Sequence, residues 1–201
     1  MLAQGLKASL DLIFAALLLI LLSPLFLLLA ALIKWDTQGP VFFKQKRAGK
    51  NGEPFEVYKF RSMVARAEQL QGGFVTNIDS PLVTRVGRFL RLSSLDELPQ
   101  LYNVVRGYMS LVGPRPLLAE TIRPAEQGRL KVKPGITGPV QIGGRQGLSW
   151  EERMRLDLNY VENWSLAHDA KILLQTVPVV LSWVNVYDAE GEMKARPAED
   201  F

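Results

Sequence analysis

The sequence predicts an α+β chain, mostly helical, in which an apolar N-terminal segment precedes one compact core. Three observations carry this. Residues 12–33, LIFAALLLILLSPLFLLLAALI, contain no charge. Residues 39–63 read as two short extended runs on either side of a GKNGEP turn. From residue 81 onward, apolar residues recur at helical spacing between stretches punctuated by glycine and proline.

Composition narrows the chemistry. The chain has 201 residues, enough for one domain with an appendage, and 24 Lys and Arg against 20 acids give a net charge of +4. That excess favours anionic partners without choosing among phosphate esters, lipid headgroups and nucleic acid. Cysteine is absent and His168 is the one histidine. Disulfides, thiolate metal sites and a His-rich zinc site are thereby excluded. A catalytic metal would need oxygen ligands, which suits magnesium.

As a helix, the uncharged segment reaches roughly 33 Å at about 1.5 Å per residue, enough to cross a hydrocarbon core. It is long for a cleaved signal peptide, and no clean Ala-x-Ala site follows it. Ser23-Pro24 lies near its midpoint. Proline removes a backbone hydrogen bond and kinks the helix, and the serine hydroxyl can satisfy a nearby carbonyl. Two topologies follow: a kinked span, or a re-entrant hairpin with both ends on one face. Lys7 before the segment and Lys34, Lys44, Lys46 and Arg47 after it would meet the positive-inside rule on a single face.

The elements that follow are read in order. Val41, Phe43, Phe55 and Val57 keep period two, and Lys59 and Arg61 end the second extended run. Residues 66–80 read as a loop. Pro81 opens a helix to about Arg91, with Arg85, Arg88 and Arg91 spaced every three residues, a pattern suited to a membrane headgroup plane. A further helix runs from the SSLDELPQL stretch to Gly107. LVGPRP, residues 111–116, is a rigid turn presenting Arg115, and KPGITGPVQIGGRQG, residues 133–147, is a loop presenting Arg145. Guanidinium forks on stiff loops suit phosphates. Two helices close the chain, Trp150–Trp164 and Leu166 to about Tyr187, before a polar tail. Trp164, Trp183 and Tyr187 suit a membrane interface or a packed core equally well.

Asp96 and Glu97 stand side by side at a helix start. Ser94 and Glu97 fit a capping box, and Pro99 shifts the cap toward Asp96. Adjacent helical residues point about 100° apart, so the pair cannot act face to face but can divide labour. One carboxylate attacks while the other holds a cation, provided magnesium and arginine neutralise the electrophile. His168-Asp169 has no Gly-x-Ser-x-Gly elbow to complete a hydrolase triad.

The motifs VFFKQKRAGKNGEPFEVYKFRSM, RVGRFLRLSSLDELPQLYNVVRG, MSLVGPRPLL, KPGITGPVQIGGR and LDLNYVENWSLAHDAKILLQT, with SP inside the apolar segment, cover nearly the whole chain. Through them the chain resembles the monotopic phosphoglycosyl transferases, also called bacterial sugar transferases, in their minimal form. The resemblance implies a re-entrant membrane helix over 1–34, broken at Ser23 and Pro24. A cytoplasmic-face core over 35–187 would carry interfacial amphipathic helices, with a polar tail over 188–201, at the bacterial inner membrane. It implies transfer of a phosphosugar from a UDP-sugar to polyprenol phosphate with release of UMP, the first membrane step of glycan assembly. Asp96 maps onto the nucleophile, Glu97 onto the magnesium-associated acid, and Arg115 onto a phosphate ligand. Lys59, Arg61, Arg88, Arg145 and Asp157 are further candidates for substrate or phosphate contacts. Membrane lipid is an expected partner and nucleic acid is not. A homodimer stays open, and the sugar is unnamed.

Four positions depart from the family pattern. Tyr108 stands where many members have an acid, Pro139 and Gly143 vary the GITG loop, and His168 replaces a commonly apolar residue. Two other functional classes remain. A non-catalytic membrane-anchored basic module accounts for the apolar segment and the arginines but not for Asp96 and Glu97. A membrane sugar-nucleotide hydrolase would use the same pair with water as acceptor.

Overall fold

The computed structural model describes residues 2–65, 67, 78–144 and 148–182. Most of the expected 66–80 loop, Arg145, Trp183, Tyr187 and the 188–201 tail lie outside these. The apolar segment is two helices, α1 (Leu2–Leu21) and α2 (Ser23–Asp36), meeting at Leu22. The break is one residue wide. Ser23 Oγ donates to the Ile20 carbonyl at 2.8 Å, and Pro24, which has no N–H to satisfy, sits in the first turn of α2.

Both ends of this helix pair are bonded to the same core. In α1, Lys7 pairs with Asp169 at 2.5 Å and donates to the Val112 carbonyl, while Asp11 accepts from Ser110 Oγ at 2.7 Å. At the far end of α2, Asp36 accepts from the Val86 N–H at 3.0 Å, and Arg61 donates to the carbonyls of Ile33 and Thr37. Lys7, expected as a flanking topological charge, is therefore a largely enclosed ion-pair partner. Between these anchors α1 buries only Ala15, and Leu12, Ile13, Phe14, Leu17, Ile20 and Leu21 face outward. By length and composition α1 could cross a membrane.

The expected hairpin is present. Strands β1 (Phe42–Ala48) and β2 (Pro54–Phe60) pair antiparallel, with Ala48 opposite Pro54. Asn51 and Gly52 take the positive φ that the tight turn needs, 59° and 82°. Alternation along β2 buries Phe55 and Val57 and carries Lys59 onto the same inward face.

Elsewhere tertiary contacts overrode local reading. The helix expected from Pro81 begins at Arg85, because Val83 bridges to Met63 and Thr84 caps it by accepting from Gly87 N–H at 2.9 Å. Residues 133–147, expected as one loop, contain strand β4 (Gly135–Thr137) and a helical turn Pro139–Ile142. β4 lies parallel to β3 (Ser110–Val112), and a side chain at Gly135 would overlap the backbone of Gly113. Between the two strands runs a 3₁₀ helix, Pro124–Lys131. Of the last two helices, Trp150–Glu162 ends two residues before the expected Trp164 and starts at a Ser149–Glu152 capping box, and Leu166–Ser182 is present, its expected end near Tyr187 lying outside the described residues. Two apolar clusters result. One joins Ala15, Val57, Leu101, Val112, Tyr160 and Ile172; the other joins Leu29, Ile33, Phe60 and Leu90. The carboxylate pair sits on the segment between Leu90 and Leu101.

Candidate active site

Asp96 and Glu97 do not open an α-helix as the capping-box reading expected. They lie in a 3₁₀ turn, Leu95–Glu97, followed by the short helix Gln100–Val105. Ser94 takes a left-handed conformation, φ 57° and ψ 15°, and makes no side-chain cap bond. The reason is that Glu97 is engaged elsewhere. Its Oε1 accepts from Lys59 Nζ at 2.8 Å and from Arg115 Nη2 at 2.6 Å. Lys59 Nζ also stands 4.0 Å from Asp96 Oδ2. Side chains, rather than a helix dipole, neutralise this pair.

Three separate elements thus converge. β2 supplies Lys59, the 3₁₀ turn supplies the carboxylates, and the turn after β3 supplies Arg115. The carboxylates are mostly enclosed, at 13% and 16% side-chain exposure, whereas Arg115 is 46% exposed. Two acids share one ammonium and one guanidinium, and the sharing is unequal. Burial alone would raise Glu97, but Arg115 and Lys59 outweigh it and hold its carboxyl well below the usual range. Asp96 receives less of that charge. Burial pushes it up to about 6, Lys59 opposes this, and the Glu97 charge adds to it. Asp96 is the more basic oxygen, yet it is ionised above neutrality.

The other expected residues are placed as follows. Arg88 pairs with Asp79 at 2.9 Å on an exposed surface rather than with the carboxylates. Arg61, expected among the phosphate-binding candidates, is 5% exposed and donates to the carbonyls of Ile33 and Thr37 at the end of α2. Asp157, also expected at the substrate, is wholly enclosed and paired with Arg129 at 2.6 Å. Burial raises it to about 6 against the pull of Arg129. Arg145 lies outside the described residues. His168, half-buried, packs its ring 5.5 Å from that of Tyr160. Tyr108 stacks on Phe55 at 5.8 Å.

Two residues were not chosen from the sequence. Arg91 donates to Ser62 Oγ at 2.9 Å and its charge bears on Asp96. The RFLRL repeat offered Arg88 and Arg91 as equals, and only the helix's rotation separates them. Arg129 lies in a stretch without apolar periodicity and carried no signal. Among the described residues no group of three or more carboxylate or imidazole side chains is placed to hold a metal. Asp96 and Glu97 offer hard oxygen donors, a set that fits magnesium if substrate phosphates complete its shell.

Comparison with known proteins places the chain in a family. Residues 2–183 match the family profile described as bacterial sugar transferase. The chain belongs to that family. Among its relatives, the exopolysaccharide production protein ExoY of Sinorhizobium fredii is 42% identical, over 87% of this chain and 84% of its own. A UDP-glucose:undecaprenyl-phosphate glucose-1-phosphate transferase of Caulobacter vibrioides is 42% identical, over 90% of this chain and 72% of its own. One of the same description from Escherichia coli is 44% identical, over 86% of this chain and 39% of its own. As a bacterial sugar transferase the chain is an enzyme, a phosphoglycosyl transferase.

Proposed function

We propose that this transferase moves a phosphosugar from a UDP-sugar to polyprenol phosphate through a covalent intermediate on Asp96. The observation that carries the reading is the unequal sharing of charge between adjacent carboxylates. Glu97 takes Lys59 and Arg115, and Asp96 keeps the more basic, less compensated oxygen.

In the first step an Asp96 carboxylate oxygen attacks the β-phosphorus of the donor. A P–O bond forms to Asp96, the bond from the β-phosphorus to the bridging oxygen breaks, and UMP leaves with that electron pair. In the second step an oxygen of polyprenol phosphate attacks the same phosphorus, and the Asp96 carboxylate is released. Lys59 and Arg115 offset charge on the non-bridging oxygens in both steps. Magnesium bound beside Glu97 would supply further charge neutralisation.

A covalent relay suits a water-soluble donor and a lipid-held acceptor, because the two need never be bound together. The relatives named as acting on UDP-glucose and undecaprenyl phosphate support these substrate classes. The re-entrant topology is supported by the hairpin's two ends bonding to one core through Lys7 and Arg61. A span would separate those ends by roughly the 30 Å of the hydrocarbon core. The core would then sit on the cytoplasmic face, with magnesium and both substrates reaching it there.

UMP release with and without polyprenol phosphate tests the reaction. Release should depend on the lipid in steady state; release indifferent to it would identify a hydrolase, and no release with any UDP-sugar would end the proposed reaction. Asp96→Asn should abolish both turnover and capture of a radiolabelled phosphosugar. For topology, cysteines introduced at Ala3 and Asn51 should be blocked by an impermeant reagent from the same side.

A further inference from the structure

The turn carrying Arg115 is bonded at four successive carbonyls. Pro114 accepts from Gly135 N–H at 2.9 Å, Arg115 from Arg129 Nη2 at 3.0 Å, Pro116 from Arg47 Nη1 at 3.3 Å and Leu117 from Ala48 N–H at 2.8 Å. Three of these donors are backbone groups or a half-buried side chain. The fourth, at Arg115 itself, is a guanidinium only 5% exposed, whose same Nη2 pairs with the wholly enclosed Asp157 at 2.6 Å. Arg129 comes from the Pro124–Lys131 3₁₀ helix and Asp157 from the Trp150–Glu162 helix, so the pair also ties two elements beneath the turn.

A buried ion pair is a poor device for stability. Its desolvation cost cancels much of its attraction, and well-packed apolar residues in its place are often neutral or stabilising. What an apolar pair cannot do is donate a hydrogen bond to the Arg115 carbonyl. We propose that the Arg129–Asp157 pair is a positioning device for Arg115, fixing its backbone so that the exposed guanidinium meets Glu97 and the donor's phosphates in one orientation. This rests on Arg115 being a phosphate ligand, as read above. It also gives Asp157 a role two residues removed from substrate, in place of the direct contact expected from the sequence.

A double-mutant cycle tests the coupling. Arg129→Met together with Asp157→Leu removes both charges at once. The expected result is a thermal midpoint within a few degrees of wild type and a fall in kcat/KM for the UDP-sugar of about tenfold or more. Introduced into Arg115→Ala, the same substitutions should change kcat/KM by less than about twofold. An equal loss on both backgrounds, or no loss in the folded variant, overturns the proposal. Should the pair variant not fold, the isosteric Asp157→Asn enters the same cycle, with a smaller loss expected that again disappears on Arg115→Ala. A readout independent of turnover is the Nε–H resonance of Arg115 in ¹⁵N-arginine-labelled protein. It should be a single sharp signal in wild type and broadened or shifted in the folded variants. An unchanged Arg115 signal defeats the positioning role whatever the activity, whereas wild-type protein inert toward every UDP-sugar defeats only the proposed function.

Discussion

Two adjacent carboxylates that share one lysine and one arginine cannot both be fully compensated. Burial pushes Asp96 up to about 6, and because Glu97 takes the short contacts the nearby cations offset that only in part. The consequence for pH has two opposite signs. On the proposed mechanism activity needs the Asp96 carboxylate, so capture of labelled phosphosugar should rise with pH along a limb centred near 6 and plateau above neutrality. Stability runs the other way. A carboxyl whose folded pKa is raised from 3.8 contributes stability that is fully present below about 3.8 and is lost as pH rises through about 6. Asp96→Asn should therefore melt at a higher temperature than wild type at pH 7.5, with the gap closing near pH 4. A gap that stays constant across that range would mean that Asp96 is not the group under strain. A functional carboxylate held at some cost to the fold is a familiar trade between activity and stability.

At the scale of elements, the turn that carries the dyad is itself strained. Ser94 has φ 57°, a left-handed conformation that is costly for residues other than glycine, by roughly 1–2 kcal/mol. It redirects the chain between the Arg85–Leu92 helix and the 3₁₀ turn, and so aims both carboxylates at Lys59. Ser94→Gly should be neutral or slightly stabilising, while the β-branched Ser94→Val should lose about 1–2 kcal/mol in chemical denaturation. If valine is tolerated without loss, the left-handed turn is not what sets this geometry. The capping-box pattern around Ser94 was visible in the sequence and was misleading, because it could not register a lysine from β2 and an arginine from beyond β3 competing for Glu97. The β1–β2 hairpin was legible, since its turn chemistry and period-two alternation are local. Strand β4 was not: three residues paired in parallel across a glycine contact leave no periodic trace.

For the whole molecule, the decisive joint is between the two apolar helices and the core. Asp169 gathers Lys7 from α1, Tyr160 Oη at 2.6 Å and Trp164 Nε1 at 3.0 Å, all on a largely enclosed carboxylate. Lys7→Met would leave that carboxylate without its cation, and breaking such a pair costs on the order of 3 kcal/mol. A lower thermal midpoint in detergent is expected, with Asp169→Asn as the neutral partner that restores part of it on the Lys7→Met background. Independent, additive losses would show that the Lys7–Asp169 pair is not what couples α1 to the core. The sequence by itself determined the apolar segment and its break, the β-hairpin, the helical periods and the paired carboxylates, because each is a pattern within about twenty residues. Tertiary structure alone decided which charges face one another. Lys59 and Arg115 reach the carboxylate pair, Arg61 and Lys7 bond the two apolar helices to the core, and Asp157 pairs with Arg129, which donates to the Arg115 carbonyl. An arginine reads the same in a string whatever it faces; only the packing that buries one and exposes another sets its partner, and with it the work its charge can do.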